Sequence, residues 1–343
     1  MFAIVLSGVH PLIAQKSDRE QPASTQASPA DDAEDKSAAK KEKADTDTDT
    51  KKKKAVAPFQ WVNELPKNHH PLIRHATFRS TSLGIDVGYC ILLPREYEQS
   101  ESVRFPVVYY LHGGRPGSEI KAIKLADQIV EVMDSAAVAP AIYVFPNGGP
   151  VSHYNMPDDP KRQGADVFIR ELIPHIDATY RTIASRSGRA LEGFSQGGRG
   201  TMRLALRYPE LFCSAAAGGG GFEAEKRIST EGGYENPNLQ FSVGDNAYDL
   251  ARAYTQQKKH RLRWMIYVGS KGINYKNNLE YMRYLDFLKI PYERVVIPDA
   301  THSAIECYDQ AAKTIMRFHA ANFVRAATLD AVDTPRNLQI EIR

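Results

Sequence analysis

The chain is predicted to fold as an α/β protein, a mostly parallel sheet with helices on both faces and an antiparallel hairpin at its N-terminal side. Three observations predict this. From about Phe59 onward, short apolar runs alternate with longer amphipathic segments, the order that strands and their crossover helices produce. Most of the runs are apolar throughout rather than alternating, as strands buried on both faces are. A serine flanked by glycines sits where one run gives way to the next amphipathic segment.

Taken in order, 77–94 holds two alternating runs around Leu83-Gly84 and reads as the hairpin. Strands follow at 106–111, 141–145, 190–193, 213–217, 264–268 and 294–297. Apolar residues at three- and four-residue spacing predict helices over 120–136, 167–180, 198–208, 278–288 and 305–323. No internal repeat is present.

Ahead of this domain, 1–15 is an apolar run ending in Ile13-Ala14-Gln15 and reads as a signal peptide; the alternative is an unstructured N-terminus. Segment 16–57 is built of Lys, Asp, Glu, Ala, Ser and Thr, with little apolar surface to offset ordering, and reads as a disordered linker. The catalytic domain is expected over 58–325 and a tail over 326–343. No run reaches the roughly 20 apolar residues a membrane span needs. With 343 residues and 42% of them apolar, the chain can bury a full core. A net charge of +3 without a basic stripe gives no support to a nucleic-acid partner. Cys90, Cys213 and Cys307 lack metal spacing, and three buried thiols are favoured over one disulfide.

The chemistry concentrates at Gly193-Phe194-Ser195-Gln196-Gly197, a Gly-x-Ser-x-Gly sequence between a predicted strand and helix. A turn that sharp excludes bulky neighbours, and it presents the Ser195 hydroxyl at a helix N-terminus. The bland alternative is a glycine-rich turn with an incidental serine. Against it stand His112-Gly113-Gly114 directly after a strand, where amides of Gly113 and Gly114 would join that of Gln196 as an oxyanion hole, and His302 in the loop after the last strand. Ser195 is therefore the expected nucleophile and His302 its base.

Around these motifs, Val107 to Gly114, Phe168 to Asp177 with Tyr180-Arg181, and Glu192 to Phe212 resemble the putative-esterase family of α/β hydrolases. That family includes enterochelin, feruloyl and acetylxylan esterases and formylglutathione hydrolase. The resemblance implies the α/β-hydrolase fold and a serine esterase working through an acyl-enzyme. It also shows a departure: the family's acid follows a Gly-Thr-Lys/Glu pattern, and the match here, Gly269-Ser270-Lys271, leads to Gly272. Three readings follow, namely a displaced acid at Glu223, Glu225 or Asp245, a serine–histidine dyad helped by water or Asn274, and a catalytically silent relative. Asp299, three residues from His302, would need a tight local turn to serve.

Arg115, His153, Tyr154 and Asn155 lie in loops after strand ends and are either pocket lining or solvated loop residues. His69, His70 and His75 lack the companions of a metal site and read as exposed histidines. No metal and no cofactor is implied. The expected function is hydrolysis of an acyl ester, on a small molecule or an extracellular carbohydrate, by an exported protein that is periplasmic, cell-surface or secreted. The rivals are a non-hydrolytic binding protein of the same fold and an enzyme passing the acyl group to an alcohol.

Overall fold

The computed structural model describes residues 58–222, 227–231, 234–240, 242–256 and 262–333. All of them fall within the unit Val56–Arg343. The expected leader and linker lie outside the described residues, as do Glu223 and Glu225.

Strands β1 (Ile73–Arg79) and β2 (Asp86–Leu92) form the antiparallel hairpin, with Gly84 taking the positive φ of 67° that its turn requires. Next come β3 (Val107–Leu111), α1 (Ala126–Asp134) and β4 (Ile142–Pro146). The short α2 (Gly164–Asp166) continues through a π-helical stretch, Val167–Leu172, into α3 (Ile173–Thr179). They are followed by β5 (Arg189–Phe194), α4 (Gln196–Arg207) and β6 (Ser214–Gly218). A separate hairpin of β7 (Arg227–Glu231) and β8 (Tyr234–Gln240) precedes α5 (Ala247–Thr255). The chain then forms β9 (Arg263–Gly269), α6 (Tyr275–Phe287), β10 (Glu293–Ile297) and α7 (Ala304–Asp333).

Eight strands make one sheet in the order β1-β2-β4-β3-β5-β6-β9-β10, parallel from β4 onward. This is the α/β-hydrolase fold expected. Side chains of β3 alternate between two cores: Val107, Tyr109 and Leu111 face the side covered by α3 to α6, whereas Val108 and Tyr110 face α1 and α7. Burial on both faces explains why these strands read as unbroken apolar runs. Each such Val, Leu or Phe contributes about 1.5–3 kcal/mol relative to exposure.

Beyond the expected elements, the structure adds the β7–β8 hairpin and α5. Helix α5 is capped by Asn246, whose Oδ1 accepts from the amides of Tyr248 and Asp249 at 3.1 and 2.9 Å. Helix α7 runs on to Asp333, past residue 325. Cys90, Cys213 and Cys307 are buried thiols.

The site follows from register. Leu111 pairs with Gly193, Phe194 with Gly218, Gly218 with Tyr267 and Ile297 with Gly269. Five parallel strands thus end on one rim, with the loops after β3, β5, β6, β9 and β10 side by side. The chain reverses its winding between β3 and β5, and that switch point is where open α/β sheets hold ligands.

Candidate active site

Ser195 terminates β5 and caps α4, with φ 60° and ψ −118°. A non-glycine residue there is strained, and the surroundings hold it: the Ser195 amide donates to Gly218 O at 2.8 Å and its carbonyl accepts from Arg199 N at 3.0 Å. The neighbouring glycines are required by contact. A Cβ at Gly193 would lie 2.6 Å from Gly197 O, and one at Gly198 2.3 Å from Gly218 O.

The His302 loop lies across the rim, and His302 Nε2 is 2.8 Å from Ser195 Oγ. Its ring packs on Phe194, centroids 5.0 Å apart. Glu306, in the first turn of α7, accepts from the Thr301 amide at 2.7 Å and from the Thr301 hydroxyl, fixing the loop one residue before the imidazole. These two donors also hold the Glu306 carboxyl below its usual range. Burial pushes the His302 pKa down.

The other ring nitrogen, Nδ1, is buried and meets no hydrogen-bond partner among the described residues. Of the expected acids, Asp245 is placed elsewhere. Its carboxylate is 2.6 Å from the Arg207 guanidinium and also bonded to that of Arg203, both on α4. Asp299 turns to Lys271 Nζ at 2.9 Å. Asn274 donates to Gly219 O at 3.0 Å. Glu223 and Glu225 lie outside the described residues, just beyond Gly219 to Phe222. Gly272 stands beside the His302 loop, where a Cβ would be 3.7 Å from Thr301 O.

The loop after β3 lies against the serine. A Cβ on Gly113 would be 3.2 Å from Ser195 Cβ, and Gly114 has φ 70°. Gly113 is thus on the rim beside Ser195, next to the start of α4. His112 anchors this loop: it is buried, and its Nε2 donates to Asn147 O at 2.7 Å. Burial, helped by the nearby Lys121 ammonium, lowers its pKa to about 4, so the ring is neutral. His153 packs on it at 4.6 Å with Nε2 3.1 Å from His112 O, and it too is kept neutral, chiefly by burial.

A cavity of about 380 Å³ opens onto Ser195 and His302. Its wall includes Tyr110, Phe194 and Leu125, together with Lys121 and Lys124. The two lysines were not singled out in the sequence, although 121, 124 and 125 share one face at helical spacing. Two other hollows, both bordered by Arg263, Asn322 and Arg325, lie at the opposite ends of the strands.

The remaining expected residues have structural surroundings. His153 and Tyr154 are fully buried, which neither pocket lining nor solvated loops describes, and the Arg203 guanidinium stacks 3.6 Å above the Tyr154 ring. Asn155 Oδ1 accepts from the amides of Ala165 and Asp166 at the start of α2. His75 bonds the buried Glu119 at 3.0 Å, His69 reaches Pro66 O, and His70 accepts from Leu72 N. Among the described residues no cluster of three metal-binding side chains occurs and no helix is long and apolar enough to cross a membrane.

The sequence pattern of the family described as "Putative esterase" matches residues 80–286. The chain is 32% identical over 153 residues to "Esterase MT1326" of Mycobacterium tuberculosis, covering 44% of this chain and 32% of that protein. It is 30% identical over 158 residues to an "Endo-1,4-beta-xylanase/feruloyl esterase" of Xylanibacter ruminicola, covering 42% and 21%. The chain therefore spans about a third or less of these curated relatives. Among solved structures it resembles a "ferulic acid esterase" with TM-score 0.59 and 22% identity, covering 73% of this chain and 98% of that one.

Proposed function

The chain belongs to the Putative esterase family of α/β hydrolases, and from that premise we propose that it hydrolyses a carboxylic ester with Ser195 as nucleophile and His302 as general base. The observation that carries this reading is the 2.8 Å contact between Ser195 Oγ and His302 Nε2. In the proposed cycle Ser195 Oγ attacks the ester carbonyl while His302 Nε2 takes its proton. The carbonyl oxygen, now anionic, is held by amides among Gly113, Gly114 and Gln196. Collapse expels the alcohol, which receives the proton from His302, and a water activated by the same imidazole cleaves the acyl-enzyme.

The family's acid position is Gly272, so the imidazole works either unaided or with Glu223 or Glu225 brought to Nδ1. Substrates on extracellular carbohydrate are the class we favour; the name of the Xylanibacter relative and the apolar N-terminal run support that choice. Residues 58–325 are the proposed catalytic domain.

Hydrolysis of p-nitrophenyl acetate by the wild-type chain tests the reading, beside Ser195→Ala, His302→Ala and Glu223→Ala/Glu225→Ala. Loss of activity with each of the first two is expected, and loss with the third identifies the acid. A binding protein of the same fold is the second reading, favoured by the His302 Nδ1 that meets no partner among the described residues. A folded wild-type chain that neither turns over the ester nor takes a fluorophosphonate on Ser195 would establish it.

A further inference from the structure

The cavity beside Ser195 contains positive charge that no side chain in it neutralises. Lys121 is half-buried on its wall, and its Nζ would be 3.8 Å from a Cβ on Gly114, alongside the proposed oxyanion loop. Among the described residues its ammonium donates to the backbone carbonyl of Pro116. Lys124 stands on the same wall, exposed. Elsewhere on the rim Lys271 meets Asp299 at 2.9 Å, but neither Lys121 nor Lys124 has a carboxylate partner among the described residues.

An ammonium withdrawn from water without a counter-charge is costly, and burial already lowers the Lys121 pKa. The neutral His112 and His153 behind the loop add no negative charge to relieve it. The rest of the wall is apolar or uncharged, with Tyr110, Phe194, Leu125 and Ala304. Such a cavity holds a mainly apolar group that ends in, or carries, an anion. A bound carboxylate would give the half-buried Lys121 a charge-assisted hydrogen bond.

We propose that this site selects esters bearing a carboxylate close to the scissile carbonyl, with Lys121 as the principal recognition residue and Lys124 as its support at the rim. This rests on the esterase reading above. The carboxylate belongs either to the acyl half, as in a half-ester of a dicarboxylic acid, or to the alcohol half.

Two pairs of substrates separate these sources. For the acyl half, mono-p-nitrophenyl adipate is compared with p-nitrophenyl hexanoate; for the alcohol half, 4-carboxyphenyl hexanoate is compared with phenyl hexanoate. In at least one pair the charged ester should be favoured in kcat/KM by about tenfold. Lys121→Met should abolish the preference and Lys121→Arg retain it. Ratios within each variant correct for any general loss of folding. Equal rates within both pairs overturn the proposal. So does a Lys121→Met variant that slows charged and neutral esters alike, which would place the ammonium on the oxyanion. If wild type hydrolyses none of the four, the esterase reading fails and the same pairs are scored by binding to Ser195→Ala. Tighter binding of the charged member, lost on adding Lys121→Met, still supports anion recognition, and equal binding rejects it.

Discussion

Gly197 lies against Leu111 so closely that a Cβ at position 197 would sit 1.9 Å from the Leu111 carbonyl oxygen. The first turn of α4 is thereby pressed onto the end of β3, and the turn bearing Ser195 cannot relax without moving a central strand. Because the obstacle is backbone, Gly197→Ala is expected to cost about 3 kcal/mol or more, at the upper end of overpacking effects. Urea unfolding of the variant checks this, and a loss below about 1 kcal/mol would show that α4 can shift away.

Asp245 is expected to matter for stability and not for turnover. Its carboxylate pairs with the buried Arg203 and with Arg207. Asp245→Asn removes the carboxylate that faces the buried Arg203 and Arg207 guanidinium groups, a loss of about 3–5 kcal/mol in buried pairs. Denaturant midpoint and kcat/KM, measured on the same preparation, should move separately.

The pH dependence reads out the third catalytic position. Burial lowers the His302 pKa, and protonated His302 cannot take the Ser195 proton. Activity should therefore be lost as pH falls, along a limb whose midpoint lies below the ordinary value of 6.5. A midpoint above that value would mean a carboxylate faces Nδ1, supplied by Glu223 or Glu225.

Gly272→Asp is expected to raise kcat/KM by about tenfold or more, given that loss of the corresponding carboxylate costs roughly four orders of magnitude in one protease. A Cβ there would be 3.0 Å from Gly269 O, tight but within reach of a small backbone adjustment. The same variant should move the acid limb upward, because a neighbouring anion favours the imidazolium. An unchanged limb in a folded variant would show that the new side chain points elsewhere.

Acid should also weaken the fold through His112. Its folded pKa, about 4, lies below the unfolded value of 6.5. The unfolded chain then binds the extra proton first, so stability is whole above pH 6.5 and falls as pH drops toward 4, by about 3 kcal/mol from this residue. Denaturation curves across that window test it, and His112→Asn should flatten the decline.

The central strands and the serine turn were legible in the sequence because each is dictated locally. Burial on both faces leaves strands such as β3 and β5 no polar alternation, and the turn at Ser195 has backbone packed against positions 193 and 197, where a Cβ has no room. His302 was legible from its place after the last strand. The sheet order was not, since the reversal between β3 and β5 depends on which edges pair. Helix α5 was missed although Asn246-Ala247-Tyr248-Asp249 has the form of a capping sequence, with Asn246 Nδ2 donating to Asp249 at 2.8 Å. Nor could the sequence show that His153 and Tyr154 are enclosed, because their burial comes from Arg203 and His112, far along the chain.

Because five parallel strands end on one rim while their side chains are spent on the two cores, what the molecule recognises and what keeps it folded reside in largely separate sets of residues. Lys121 and Lys124 belong to the first set. A directed-evolution library confined to positions 121 and 124, whose neighbours Ile123 and Leu125 belong to the core, would explore new acyl or alcohol preferences on a scaffold of nearly constant melting temperature, whereas the same number of changes along β3 or β5 would sample mostly unfolded chains.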